Sequence, residues 1–362
     1  MRLGVGAALI DGRLVPGDVA VDDGRVTAVG LAGSGTGIAA PGFVDLQVNG
    51  FAGVDFLSAD AAGYDAAGEA LLETGVTGYL PTFITSGEDE LTAALRAIPP
   101  QARGARVLGA HLEGPFISPH RLGTHPRDRR RDPDPELLEA LLDAGPVRLV
   151  TLAPELPGAL ELVDRLLGRG IVVSLGHSNA TAGEANAAFD RGVRTVTHVF
   201  NAMRPLTHRD PGIVGAALLR PDVVVQAIVD GIHLDPEIVR LVWKVAAGRV
   251  ALVTDAVAAA GQGDGDYRLG AVDIGVLNGV VRRSDGVLAG SVLTMIEAVR
   301  NLVETGVPVE RALEAASSVP AGVLGVDDAG RLQVGGRADV VVLDDGLEIR
   351  RVIVGGETRV AA

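Results

Sequence analysis

Eight apolar runs recur along the chain, and all but one of them end in polar residues able to carry chemistry. They span Phe43 to Asn49, Gly75 to Thr85, Ala105 to Phe116, Val147 to Glu155, Ile171 to Asn179, Thr195 to Met203, Val223 to His233 and Arg249 to Ala259. Their ends read QVNG, HLEGPF, LAPE, LGHSN, THVFNAM, VDGIHL and VTDA, whereas the second, ending PTFIT, carries no obvious ligand or acid. Between the runs lie stretches with helical spacing. Asp134-Pro135-Glu136 and Asp235-Pro236-Glu237 each offer a capping carboxylate and a first-turn proline, and Gly145 and Gly248 mark the exits. Gly158 to Gly170 and Thr181 to Gly192 read the same way. Strand alternating with helix eight times predicts an α/β fold, a parallel (β/α)8 barrel of TIM type. A doubly wound open sheet is the competing architecture. It concentrates functional residues at one switch point, whereas here nearly every run ends in them, as a barrel mouth requires.

The two ends of the chain differ from its middle. Leu3 to Ile10, Asp18 to Val21 and Arg25 to Val29 are short β-like pieces broken by DG and DDG turns, and Ala338 to Leu343 and Ile349 to Val354 repeat the pattern. Neither end alone builds a stable sheet core, but together they can. The expected organisation is a small discontinuous β-sandwich from residues 1–42 and 326–362 around a barrel of residues 43–325. Residues 260–290, rich in Gly and Asp with alternating Val and Leu, predict a hairpin excursion after the eighth strand.

Glu113, His177 and His198 fall at the ends of the third, fifth and sixth runs, with Asp255 at the eighth. Two neutral imidazoles and a carboxylate with an open fourth position are the ligand set of a catalytic zinc site. Each histidine alone is equally well a hydrogen-bonded structural residue; as a set on one rim they point to a metal. Zn2+ is the default, and Fe2+, Co2+ and Mn2+ take the same donors. One metal per chain is expected. The first strand offers Gln47 and Asn49, neutral amides where a second metal needs stronger ligands, and Lys244, the one lysine, lies in a predicted helix where it cannot bridge two ions as a carboxylated side chain.

Charge and composition narrow the partners. A net charge of −14 and a pI near 4.9 exclude a generic nucleic-acid binder. The absence of cysteine excludes disulfides and thiolate sites. The start, MRLGVGAALIDGRL, does not read as a signal peptide, and no run is apolar for the roughly 20 residues a membrane helix needs. The expectation is a cytoplasmic enzyme without a membrane partner. Against this acidic background, Arg121, Arg127, Arg129, Arg130 and Arg131 crowd the segment Pro119 to Asp132, and Arg209 follows the sixth run. A locally positive mouth suits an anionic substrate, although most of these arginines read better as a solvated loop. Arg209 is the one expected to grip a phosphate with two parallel hydrogen bonds.

The blocks PGFVDLQVNG (41–50), HLEGPF (111–116), GHSNAT (176–181), THVFNAM (197–203), HRDPG (208–212), DGIHLD (230–235), VTDA (253–256) and GSVLTM (290–295), with the tail RADVVVLD, resemble the N-acetylglucosamine-6-phosphate deacetylase branch of the amidohydrolase superfamily. The resemblance covers the whole chain. It implies metal ligands at Glu113, His177 and His198, Asp255 as catalytic acid/base, and His233 as a catalytic group that contacts substrate and polarises the acetamide carbonyl. It further implies that Asn201, Ala202 and Arg209 hold the sugar phosphate and that His125 faces the sugar or acetyl group. Some members carry histidines where this chain has Gln47 and Asn49, so those positions read as vestiges of a second metal site. Relatives also imply a homodimer; with aromatic residues at 3% the composition offers no interface of its own. Val292 stands where a second serine is common in the family, and the arginine-rich segment is a further departure. The expected reaction is metal-dependent hydrolysis of the N-acetyl group of N-acetylglucosamine 6-phosphate. The alternatives are another N-acylated amino-sugar phosphate, an N-acyl amino acid, or a non-catalytic sensor, since the loops and not the metal set choose the substrate.

Overall fold

A computed structural model of the chain describes residues 1–33 and 35–361. Eight parallel strands run Phe43–Val48, Val76–Ile84, Ala110–Glu113, Val147–Leu152, Val172–Leu175, Thr195–Val196, Val224–Ala227 and Val250–Leu252. Each pairs with the next in chain order. The last returns to the first just past its end, where the Asp255 N–H donates to the Gln47 carbonyl at 2.9 Å and the Asn49 N–H to the Ala256 carbonyl at 2.8 Å. The barrel expected from the alternating runs is the architecture observed.

Local chemistry explains the intervening helices. Asp134 accepts from the backbone N–H groups of Glu136 and Leu137 ahead of helix Pro135–Ala144, and Asp235 accepts from Glu237 ahead of helix Pro236–Ala246. The apolar runs overstate the strands, most of all the sixth, in which only Thr195–Val196 keeps the ladder. The remainder is buried turn, which hydrophobicity alone does not distinguish from buried strand.

Beneath the mouth the barrel interior is polar rather than filled by branched aliphatic side chains. His111 Nε2 lies 2.7 Å from Thr151 Oγ1, which lies 2.7 Å from Thr197 Oγ1, itself 2.6 Å from Ser174 Oγ. All four residues are fully buried, and the chain of hydrogen bonds offsets the cost of desolvating them. Burial pushes the His111 ring down to about 4, so it sits neutral beneath the site.

Both chain ends build one sheet. Its six strands are ordered Arg13–Pro16, Ala7–Ile10, Ile38–Pro41, Val340–Leu343, Ile349–Val354 and Glu357–Ala361. Strand Val340–Leu343 serves two cores by its two-residue alternation. Val340 and Val342 join Val19, Val26 and Ile353, while Val341 and Leu343 face the barrel's main core. The excursion after the eighth strand forms three antiparallel strands, Gly265–Leu269, Val272–Leu277 and Val280–Arg282, with a small core of its own.

Because Leu343 is fully buried in the main core, the terminal sheet and barrel should unfold together. Leu343→Ala is expected to cost about 2–5 kcal/mol and to leave one cooperative transition in urea followed by Trp243 fluorescence. Two separated transitions in the wild type would contradict the shared core.

Candidate active site

The strand ends deliver their polar residues to one cavity of about 210 Å³, whose lining includes Asn49, Glu113, His125, His177, His198, Asn201, Ala202, His233 and Asp255. Glu113, the last residue of its strand, is 2% exposed. Its Oε1 lies 3.1 Å from His177 Nε2 and 2.8 Å from His198 Nε2, and the two ring nitrogens are 3.2 Å apart. Four-coordinate zinc, with bonds of about 2.0–2.1 Å, sets its ligand atoms roughly 3.3 Å apart. The donor set therefore fits a divalent cation. The His177 Nδ1–H donates to the Arg121 carbonyl at 3.0 Å, which leaves the Nε2 lone pair aimed at the other donors.

Backbone geometry achieves this convergence. His177, His198, Phe200, Ala202 and Asp255 all have positive φ, between 26° and 75°. Such conformations are uncommon for residues with a side chain and persist where surrounding bonds over-determine them. For Asp255 those bonds are its N–H to the Gln47 carbonyl and the Ser291 N–H to its own carbonyl, both 2.9 Å. For the turn after His177, Glu155 accepts from Ser178 Oγ at 2.8 Å and from the Asn179 N–H at 2.6 Å.

Gln47 and Asn49 are not idle vestiges. The Gln47 amide donates to Glu113 Oε1 and to Asp255 Oδ1, each at 3.0 Å, and the Asn49 amide donates to Asp255 Oδ1 at 2.7 Å. Amide hydrogens thus face both carboxylates. Burial, and then the charge of Glu113, push Asp255 up to about 6 despite the opposing pull of His198, His233 and Asn49. Burial likewise opposes the charge of Glu113, but the His125, His177 and His198 rings around it outweigh that and hold the carboxyl well below its ordinary range.

His125 lines the cavity, yet its ring is committed. The Thr85 N–H donates to Nδ1 at 3.3 Å, so Nε2 carries the proton and faces Glu113 Oε2 at 3.4 Å. Burial and the neighbouring His177 push the ring down to about 4. Thr85 closes the run that showed no chemistry in the sequence; its hydroxyl also lies 2.9 Å from His125 Nδ1. Asp230 is a second residue whose role the pattern did not disclose. It accepts from His233 Nδ1 at 2.7 Å and from the His233 N–H at 2.8 Å, turning Nε2 toward the cavity. Burial works against the Asp230 charge, and the His233 hydrogen bonds overcome it, leaving the carboxyl below its ordinary value. A third is Asp45, fully buried and pushed up to about 7 by that burial, which accepts from Thr254 Oγ1 at 2.6 Å and braces the turn that carries Asp255.

Arg209 is not brought to the cavity of its own chain. It is exposed and, among the described residues, makes no ion pair or side-chain hydrogen bond, whereas Arg204 beside it pairs with Asp210 at 2.6 Å. The arginine-rich segment is tied to itself and to its neighbours: Arg130 pairs with Asp132 and donates to the Ile117 carbonyl, and Arg121 donates to Asn179 Oδ1.

His198 stands between opposing influences. Burial alone would depress its ring, but Glu113 and Asp255 outweigh that and raise it above its ordinary value. A proton therefore competes with metal for this nitrogen, the more strongly as pH falls. Zinc binding to metal-stripped protein is expected to release more protons near pH 6 than near pH 8, measured by calorimetry in buffers of different ionisation enthalpy. Release that does not change with pH would contradict the ligand assignment.

The sequence pattern of the amidohydrolase family matches residues 38–359. A Bos taurus protein named N-acetylglucosamine-6-phosphate deacetylase is 42% identical over 88% of this chain and 83% of its own length. An Escherichia coli O157:H7 protein named N-acetylgalactosamine-6-phosphate deacetylase is 39% identical over 88% of this chain and 86% of its own. Among solved structures, a mutant Mycobacterium smegmatis N-acetyl-D-glucosamine-6-phosphate deacetylase in complex with N-acetyl-D-glucosamine-6-phosphate is 37% identical. It covers 100% of this chain and 99% of its own, with a TM-score of 0.95. Since the likeness runs through the terminal sheet and all eight barrel strands, it belongs to the whole architecture and not to one motif, and the chain belongs to the amidohydrolase family.

Proposed function

We propose that the protein hydrolyses the N-acetyl group of N-acetylglucosamine 6-phosphate, releasing acetate and glucosamine 6-phosphate. The observation that carries this reading is the joint placement of Glu113, His177, His198 and Asp255 around one small cavity. Relatives of this architecture are named for that substrate, one of them in complex with it. A divalent metal held by Glu113, His177 and His198 supplies Lewis acidity toward the amide carbonyl and toward water; zinc is the proposed ion, with iron, cobalt and manganese the alternatives.

The chain's own residues supply the proton chemistry. Asp255 accepts a proton from the attacking water and returns it to the sugar nitrogen as the C–N bond breaks, the two roles of one carboxylate. Gln47 and Asn49 hold that carboxylate in place through both roles. His233, held through Nδ1 by Asp230, presents Nε2 to the cavity, where it meets the developing oxyanion. Asn201 and Ala202 bound the cavity on the side proposed for the sugar phosphate.

The proposal includes a homodimer, in which the unpaired Arg209 serves the phosphate of a second copy. It also includes a cytoplasmic setting, because a charged sugar phosphate does not cross a bilayer and is consumed where it is made. A second reading, the galactosamine epimer, is favoured by the Escherichia coli O157:H7 relative, and parallel assays of both epimers decide between them.

Asp255→Asn is expected to lower kcat by about 10²–10⁴-fold with little change in binding; near-normal turnover would remove Asp255 from the mechanism. In the wild type kcat/KM should fall on the acid side as Asp255 takes up a proton. The midpoint lies at or below about 6, because a bound dication lowers a neighbouring carboxyl further. Arg209→Ala should raise KM for the phosphorylated sugar roughly 10–100-fold and leave the unphosphorylated sugar nearly unaffected; equal effects on both would exclude a phosphate contact.

A further inference from the structure

The barrel mouth is a ring, and its chemistry is unevenly distributed. Strands three, five and six provide the metal ligands, strand eight Asp255, strand seven His233, strand one Asn49, and the loops after strands three and six His125, Asn201 and Ala202. Above strand two the rim changes character. Ile84 ends the second strand as the register partner of Glu113, so its side chain stands beside the metal ligand. The three-stranded excursion folds over this sector and adds Leu269, Val287 and Leu288 to the same cavity wall.

This apolar wall has a firm backing. Ile84 and Leu269 are 2% and 4% exposed and pack in one cluster with Ile274, Val276 and Val281. The turn that carries Leu269 is fastened to the rim, because the Gly270 N–H donates to Asp55 Oδ2 at 2.6 Å. Gly270 has φ +56°, and a Cβ there would lie 2.8 Å from the Leu57 side chain. The positive φ favours glycine at this turn.

Resting on the deacetylase reading, we propose that Ile84 and Leu269 form the acyl pocket of the enzyme and limit its substrates to short N-acyl groups. An amide carbonyl carbon carries three substituents in one plane. With its oxygen over the Glu113, His177 and His198 cluster and its nitrogen directed toward the sugar side at Asn201, Ala202 and His233, the acyl carbon points to the sector between strand two and the excursion. That sector carries the apolar wall of Ile84, Leu269, Val287 and Leu288. A wall built into a packed core cannot yield as a loose loop can, so each added methylene meets side chains that have nowhere to move. The discrimination expected for one methylene is about 10-fold or more.

The test is kcat/KM for N-acetyl-, N-propionyl- and N-butyryl-glucosamine 6-phosphate with zinc-loaded protein, read as carboxylate released. The wild type should lose about 10-fold or more from acetyl to propionyl. Leu269→Ala should raise the butyryl-to-acetyl ratio by about 10-fold or more, and Leu269→Phe should lower the propionyl-to-acetyl ratio. If Leu269→Ala does not fold, Ile84→Val, one methylene smaller, and Asp55→Ala, which frees the turn without touching substrate, should each shift the ratios in the same relaxing direction. Folded variants that hydrolyse the acetyl substrate with unchanged acyl ratios overturn the acyl pocket and leave the deacetylase reading intact. Failure of the wild type to hydrolyse any of the three amides overturns that reading, and the pocket with it.

Discussion

Two buried carboxylates facing one point set the constraint on which the site depends. Glu113 and Asp255 both lie out of water, and one amide, that of Gln47, donates to each of them at 3.0 Å. Two negative charges so placed repel each other, and the repulsion is visible in Asp255, pushed up to about 6 by burial and then by Glu113. A single dication on Glu113, His177 and His198 matches those two charges. A second dication would need further anions, and the first strand provides only amides. Charge balance thus supports the proposed single metal as much as ligand count does.

The rest of the barrel is organised to keep those groups in place. Closure of strand eight onto strand one runs through the backbone of Asp255, Gln47 and Asn49, so the barrel seam and the turn that carries Asp255 are one structure. Below, the linked hydroxyls of Thr151, Thr197 and Ser174 and the neutral His111 give the site a polar but uncharged floor. Around it, Asp230 orients His233 and Thr85 orients His125. The arginine-rich segment contributes through a backbone carbonyl, that of Arg121 on His177, rather than through charge.

Much of this was legible in the chain because barrel strands are buried on both faces and write themselves as apolar runs. Asp134 and Asp235 announced their helices because capping is local chemistry. What stayed hidden depends on turns and on long-range approach. The positive φ values at His177, His198 and Asp255 leave no residue signature, since no glycine marks them. Thr85 looked inert because its partner His125 is 40 positions away and comes beside it only through the fold. Gln47 and Asn49 read as lost ligands, since a sequence shows which atoms could bind a metal but not which carboxylates their N–H groups meet. Arg209 followed a strand like the other rim residues, yet its turn carries it outward.

The most direct test is restoration of acetate release from N-acetylglucosamine 6-phosphate when zinc is titrated into metal-stripped protein. The account requires negligible release without metal and activity that saturates at one equivalent per chain. Full activity in the stripped protein, or a requirement for two equivalents, would contradict the balance of one dication against Glu113 and Asp255.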